Sequence, residues 1–185
     1  METSLVLEPS RTVLRHRASW ELRGQARPAF ARKPGPGQES VWDYPRPPRI
    51  EPDRRLVSVR SGARTIGETR RAIRVLETAS PPTFYLPPDD VESSLLVESG
   101  RVTHCEWKGE AVDLDLRDGP PSVGWRYART YAEFVPYRNW VAFYPGRVEC
   151  FVGDERVRPQ PGGYYVGWMT DEIVGPVKGE PGIGG

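Results

Sequence analysis

Apolar and polar residues alternate with a period of two in short runs along this chain, between breaks at glycine and proline, and that pattern predicts strands rather than long helices. Leu56 to Arg60 alternates, turns at Ser61-Gly62 and resumes through Arg64-Thr65-Ile66, which is a hairpin by pattern. Arg101 to Trp107 and Ala111 to Leu116 alternate on either side of Lys108-Gly109 and predict a second hairpin. Thr83-Phe84-Tyr85-Leu86 lies between two Pro-Pro pairs and reads as a short strand with firm stops. Trp125-Arg126-Tyr127, Trp140 to Tyr144 and Val148 to Val152 are further strands, the last turning at Gly153-Asp154. The stretch beginning at Glu68 is ambiguous: Ala72, Val75, Leu76 and Ala79 have helical spacing, while Ile73 and Arg74 leave a strand open. Asp89 and Asp90 are placed to cap a single helical turn ending near Leu96, and Tyr131 to Asn139 predicts a loose helical turn.

Composition agrees with many short elements. The 185 residues fit one domain and include 20 Pro and 19 Gly, which interrupt long helices. Apolar residues make up 37%, enough for a core without a disulfide or metal staple. Arg32-Lys33-Pro34-Gly35-Pro36-Gly37-Gln38 has the character of a linker, so the chain divides into an arm of residues 1–38 and a single β-rich domain of residues 39–185. The arm holds seven basic and three acidic residues and is expected to be solvated and flexible. The rest of the chain, with 19 basic and 22 acidic residues, is slightly acidic, which argues against nucleic acid as its partner. The last stretch, from Pro159, is a Gly/Pro-rich tail anchored by Tyr164-Tyr165 and Trp168. No apolar run approaches a membrane span, and the start lacks the features of a secretory signal. With only Cys105 and Cys150 in addition, the expectation is a reducing cytoplasm and no membrane partner.

The segment Thr103-His104-Cys105-Glu106-Trp107-Lys108-Gly109 concentrates the reactive residue types. On a strand, Thr103, Cys105 and Trp107 share one face and His104, Glu106 and Lys108 the other, although near the turn that parity can break and swing Lys108 to either side. Because neighbours on a strand point apart, His104 cannot serve as the base of Cys105 without a bulge. Cys105 then reads as a core residue and His104 as a hydrogen-bonded polar one, with a nucleophilic Cys105 or Lys108 assisted by His104 as the enzymatic alternative. The paired ligand spacings of a zinc site are missing, so no metal or other cofactor is expected. Asp113-Leu114-Asp115 puts two carboxylates on one strand face, as nucleotidyl transfer through magnesium requires, but no Gly-Ser phosphate-holding element precedes it. An edge strand with outward acids gives the same pattern. Trp107, Trp125, Tyr127, Phe143, Tyr144, Tyr164 and Trp168 all fall in or beside strands, which suits either a core or a ring-lined pocket.

Several long motifs, among them Val41-Trp42-Asp43-Tyr44-Pro45-Arg46-Pro47-Pro48, Phe84-Tyr85-Leu86-Pro87-Pro88-Asp89-Asp90-Val91, Thr103 to Gly109 and Val141-Ala142-Phe143-Tyr144-Pro145-Gly146-Arg147, resemble a bacterial and fungal family known as domain of unknown function number 427. The resemblance runs from about residue 39 onward and implies a mainly β fold of the β-tent type, two antiparallel sheets with one or two short helical turns. Similar architectures hold zinc in B-type methionine sulfoxide reductases and bind uridine or cyclic imides in an aromatic cage in cereblon-like domains. The cysteine pairs of the zinc-bearing relatives are absent here. The family pattern carries over onto Arg70, Tyr85, His104, Cys105, Trp107, Lys108, Trp125, Tyr127, Phe143, Tyr144 and Arg147. Two departures stand out: Ala128-Arg129-Thr130 replaces a Pro-Asp-Pro-like turn, and Asp118 to Ser122 is a short insert.

The resulting expectation is a small-molecule-binding domain. Tyr85, Trp107, Trp125, Tyr127 and Tyr144 would line its pocket, with His104, Lys108 and Arg147 as polar anchors beside Arg70 and Cys105. Catalysis by Cys105 or Lys108, nucleotidyl transfer through Asp113 and Asp115, and a partner-binding module that forms a homodimer through a β edge are the alternatives.

Overall fold

The computed structural model describes residues 5–183. The chain is mainly β, built mostly from antiparallel sheets with short helical turns between strands. One four-stranded sheet runs in the order Val141–Phe143, Gly124–Thr130, Gly109–Leu116, Leu96–Cys105. A second has the order Glu155–Arg156, Glu149–Val152, Val57–Ser61, Arg64–Thr69. A three-stranded sheet, Arg49–Asp53, Ala72–Leu76, Thr83–Tyr85, is tied to the first by a bridge between Leu86 and Val141. Both hairpins predicted from alternation are present, with Val57–Ser61 paired to Arg64–Thr69 and Leu96–Cys105 to Gly109–Leu116.

The period of two decides which core each residue enters. Phe84 packs with Val57, Ile66, Phe143, Cys150 and Trp168, whereas Tyr85, its neighbour, joins Ile73, Val75, Trp125, Tyr127, Phe134 and Ala142. Along Val141–Phe143 the same alternation sends Val141 and Phe143 to the first cluster and Ala142 to the second. The ambiguous stretch after Glu68 resolves as the Ala72–Leu76 strand, because it lies between two partner strands and Ile73 and Val75 face one cluster together. In place of a single turn after Asp89, two short 3-10 turns, Pro88–Asp90 and Ser93–Leu95, flank Val91, which bridges to Gly67.

Asp113 does not sit on an edge strand: Gly109–Leu116 is paired on both sides, and the Asp113 side chain is buried. The edge of that sheet is Leu96–Cys105, most of whose residues are exposed.

In place of a solvated arm, the residues after Ser4 lie against the domain. Leu7 N donates to Thr130 O at 2.8 Å and Thr130 N to Leu5 O at 3.1 Å. The Arg11–Ser19 helix, capped by the Ser10 hydroxyl, buries no residue of its own, so apolar burial does not hold it. Cations do: Arg17 Nε donates to Glu106 O at 2.6 Å and its guanidinium covers the rings of Trp107 and Tyr131. Arg27 grips Asp43 with two bonds of 2.6 Å.

The Gly/Pro-rich end is likewise woven into the fold. Trp168–Met169 pairs with Arg158–Pro159, Ile173–Val174 runs parallel to Glu39–Ser40, and Trp42, Tyr44, Ile173 and Val177 share a third apolar cluster. Among the described residues no helix is long and apolar enough to cross a membrane.

Candidate functional site

The hairpin that carries Cys105 and Lys108 determines the site. Strand geometry ends at Cys105, Glu106 to Lys108 form the turn, and pairing resumes with Gly109 opposite Cys105. Gly109 adopts φ +120°, and a Cβ there would lie 2.3 Å from the carbonyl oxygen of Arg129, so only glycine allows this close approach of the next strand. Strand parity therefore breaks at the turn. Lys108 borders the cleft together with Cys105, while Trp107 is absent from that boundary and lines a neighbouring cavity of about 40 Å³ with Pro47, Pro48, Ile50 and Phe134, a cavity Lys108 also touches.

Lys108 borders a cleft of about 350 Å³. Tyr85, Trp125, Tyr127 and Tyr144 form its aromatic wall. The Tyr85 ring lies 6.2 Å from Trp125 at 86° and 6.3 Å from Tyr127, and Trp125 packs 4.6 Å from Tyr144. These rings serve core and cleft at once: Phe134 backs Tyr85 at 5.4 Å, while Tyr85, Trp125 and Tyr127 also line the open space. Cys105, His104, Arg101, Glu77, Trp20 and Lys178 complete much of the boundary.

The electrostatics are those of a donor-rich site. The Tyr85 side chain is 0% exposed, and its hydroxyl makes no hydrogen bond of normal geometry among the described residues, although the Trp125 and Tyr127 side chains stand close enough to favour its ionised form. Burial pushes this phenol up to about 12, against a smaller opposing pull from Lys108, so at neutral pH it is a proton donor. Burial, then Asp113, raises Tyr144 to about 12, and burial followed by Cys105 and Tyr85 raises Tyr127 further. Desolvation disfavours the Lys108 ammonium, but Cys105, Tyr85 and Glu77 outweigh it and hold the charged form. Lys178 shifts the other way: burial, then repulsion from Arg46, lowers it.

Other expected residues stand elsewhere. His104 is exposed at the rim, and its Nε2 lies 2.8 Å from the Tyr131 hydroxyl, so its hydrogen bond goes to Tyr131 rather than Cys105. Arg147 lines an adjoining cleft of about 310 Å³ that shares Tyr144 and Arg101 with the first. Ser122, from the short insert, rims that adjoining cleft too. Arg70 is exposed in the bend after Arg64–Thr69 and borders neither cleft. Asp113 faces Arg101 Nη1 and the Tyr144 hydroxyl, each at 3.5 Å, with its Oδ2 accepting no hydrogen bond among the described residues, and Asp115 accepts from Ser122 N at 2.7 Å. Cys150 is buried in the first core, and burial alone raises its thiol. Among the described residues no three His, Cys, Asp or Glu side chains gather as a metal site would require.

Sequence reading missed Trp20, Glu77 and Lys178. Trp20 supplies a ring from the arm: its indole donates to Glu106 Oε1 at 3.3 Å, Arg46 lies 3.7 Å from its centroid, and Lys178 Nζ lies 4.5 Å away on the ring. The one signal available was a single tryptophan in a basic arm. Glu77 accepts from Arg46 Nε at 3.1 Å, and Arg46 in turn donates to Leu22 O and Thr78 O.

No curated protein matches the chain at a significant level. A family described as a domain of unknown function (DUF427) matches residues 49–154. Tyr85, Cys105, Lys108, Trp125, Tyr127 and Tyr144 fall within that stretch, whereas Trp20 and Lys178 lie outside it. With more than half of its length inside the match, the chain belongs to the family described as domain of unknown function DUF427.

Proposed function

We propose that the protein binds a small molecule with a flat, polarisable portion in the cleft bordered by Tyr85, Trp125, Tyr127, Tyr144 and Lys108. The observation that carries this reading is the floor of the cleft. A fully buried tyrosine hydroxyl that makes no hydrogen bond of normal geometry sits beside the half-buried Lys108, and the rings of Trp125, Tyr127 and Tyr144 border the same space. An unpartnered buried hydroxyl costs about 1–3 kcal/mol. A fold that needed only the ring could use phenylalanine. The cleft volume of about 350 Å³ is at the low end of small-molecule sites, matching one or two fused rings with a polar substituent.

Ligand-observed NMR with a panel of bicyclic aromatic compounds tests the reading. Native protein is expected to give saturation-transfer hits, and those hits are expected to vanish in Thr83→Trp, whose added ring fills the cleft from the Thr83–Tyr85 strand. A panel with no hits, or hits that persist in a folded Thr83→Trp variant, contradicts it.

A further inference from the structure

We propose that the ligand of this cleft carries an anionic group, a carboxylate or a phosphate, seated between the Lys108 and Lys178 ammonium groups with its flat portion against the rings. The inference rests on the reading of the cleft as a binding site and adds the chemistry of what binds.

The first observation is the placement of the two lysines. They come from opposite parts of the chain, the 106–108 turn and the C-terminal segment, yet both border the same cleft. Lys178 is only 7% exposed. Its neighbours are ring faces, Trp20 at 4.5 Å and Tyr165 at 5.9 Å, and Lys108 similarly lies 5.8 Å from the centroid of Tyr127. Among the described residues neither ammonium forms an ion pair with a carboxylate: Lys108 meets the Cys105 side chain, and the cleft carboxylate Glu77 is paired to Arg46. Buried lysine is rarely left without a counter-charge, since desolvation disfavours the ion.

The second observation is the charge balance. Lys108 and Lys178 border the cleft against two carboxylates, Glu77 and Glu106, while Arg101, also on its boundary, faces Asp113. Glu77 is tied to Arg46, itself a buried cation, and Glu106 accepts from the Trp20 indole. The space in front of the lysines is therefore positive, and the unpartnered Tyr85 hydroxyl adds a donor to the same floor. Burial, then repulsion from Arg46, disfavours the Lys178 ammonium, and an incoming anion offsets both. A purely architectural role for Lys178, its stem lying across Trp20 with the ammonium reaching for solvent, predicts indifference to ligand charge.

Isothermal titration of the full chain with 2-naphthoate, 2-naphthyl phosphate and the neutral 2-naphthamide separates these cases. At least one anion is expected to bind about tenfold tighter than the amide, as a charge-assisted hydrogen bond implies. Whichever anion is preferred identifies the group as carboxylate or phosphate. Lys178→Met keeps the stem and is expected to erase that preference, weakening the anions more than the amide. Lys178→Arg is expected to keep it. If the amide binds as well as both anions, or Lys178→Met and Lys108→Met weaken all three probes alike, the anion assignment fails and the binding site stands. If none of the three probes binds, the binding reading fails with it.

Discussion

Truncation of Trp168 to alanine is expected to cost about 3–5 kcal/mol of folding stability, the range for removing a fully buried tryptophan. The side chain is 0% exposed and stacks on Phe84 at 5.0 Å and 27°. Its indole donates to Phe143 O at 3.0 Å, and its backbone N–H donates to Pro82 O at 2.8 Å. These contacts fasten the Gly/Pro-rich C-terminal segment to the main core, and that segment also delivers Tyr165, Gly167 and Lys178 to the cleft. For a chain of this length each kcal/mol moves the midpoint by about 2–4 °C, so thermal unfolding followed by circular dichroism should show a fall of roughly 6–20 °C. A fall of only about 2 °C or less would mean that the C-terminal segment is not anchored through this ring.

The second large effect is expected at Gly109. A methyl group there would stand 2.3 Å from Arg129 O and 2.8 Å from Thr130 Cα, both backbone atoms of the adjoining strand that cannot swing aside. The φ of +120° adds conformational strain of about 1–3 kcal/mol for any residue with a side chain. Overpacking adds about 1–3 kcal/mol more. Gly109→Ala should therefore lose about 2–6 kcal/mol in urea denaturation, the sum of those two ranges. Because Gly109 aims Lys108, binding of the preferred anion should weaken in the fraction that still folds. Gly100→Ala is a matched control: it has a positive φ but nothing within 4 Å of the added Cβ, and should cost less. Equal losses at the two positions would show that clash with the neighbouring strand is not the cause.

Legibility in the sequence followed the range of the interactions. Alternation is local, so the hairpins around Ser61-Gly62 and Lys108-Gly109 could be read directly, and with them the mainly β class. Within one strand, period two also puts Trp125 and Tyr127 on one face, and both enter the second apolar cluster. This rule failed at the turn. Trp107 was expected on the Cys105 side with the pocket rings, but across the three turn residues between Cys105 and Gly109 parity breaks, as it can near a turn, leaving Trp107 off the cleft and Lys108 on it. Asp113 read as an outward acid on an edge strand, since a single sequence does not show whether a strand has one partner or two; with Gly124–Thr130 on one side and Leu96–Cys105 on the other, it is buried.

Long-range contacts left the least trace. The arm has no apolar stripe to announce docking, because it is held by Arg17 on Trp107 and Tyr131 and by Trp20 against Arg46 and Lys178, which are contacts between distant segments. Lys178 sits in a stretch whose glycines and prolines suggested a tail, and its neighbours Trp20, Glu77 and Cys105 are far away in the chain. A charge pattern that assembles only in three dimensions has no period to detect.

The central claim is that the floor of the cleft is built for a ligand rather than for the fold, and Tyr85→Phe tests it most directly. Removing one oxygen leaves the ring, its packing on Phe134 and the strand pairing with Ile73 unchanged. Deleting an unpartnered buried hydroxyl removes a cost of about 1–3 kcal/mol. The thermal midpoint of the ligand-free protein is therefore expected to hold or rise by a few degrees, while affinity for the preferred naphthyl anion falls about five- to tenfold with the lost donor. A midpoint that falls by several degrees with binding unchanged would contradict the account, because it would make the hydroxyl part of the architecture.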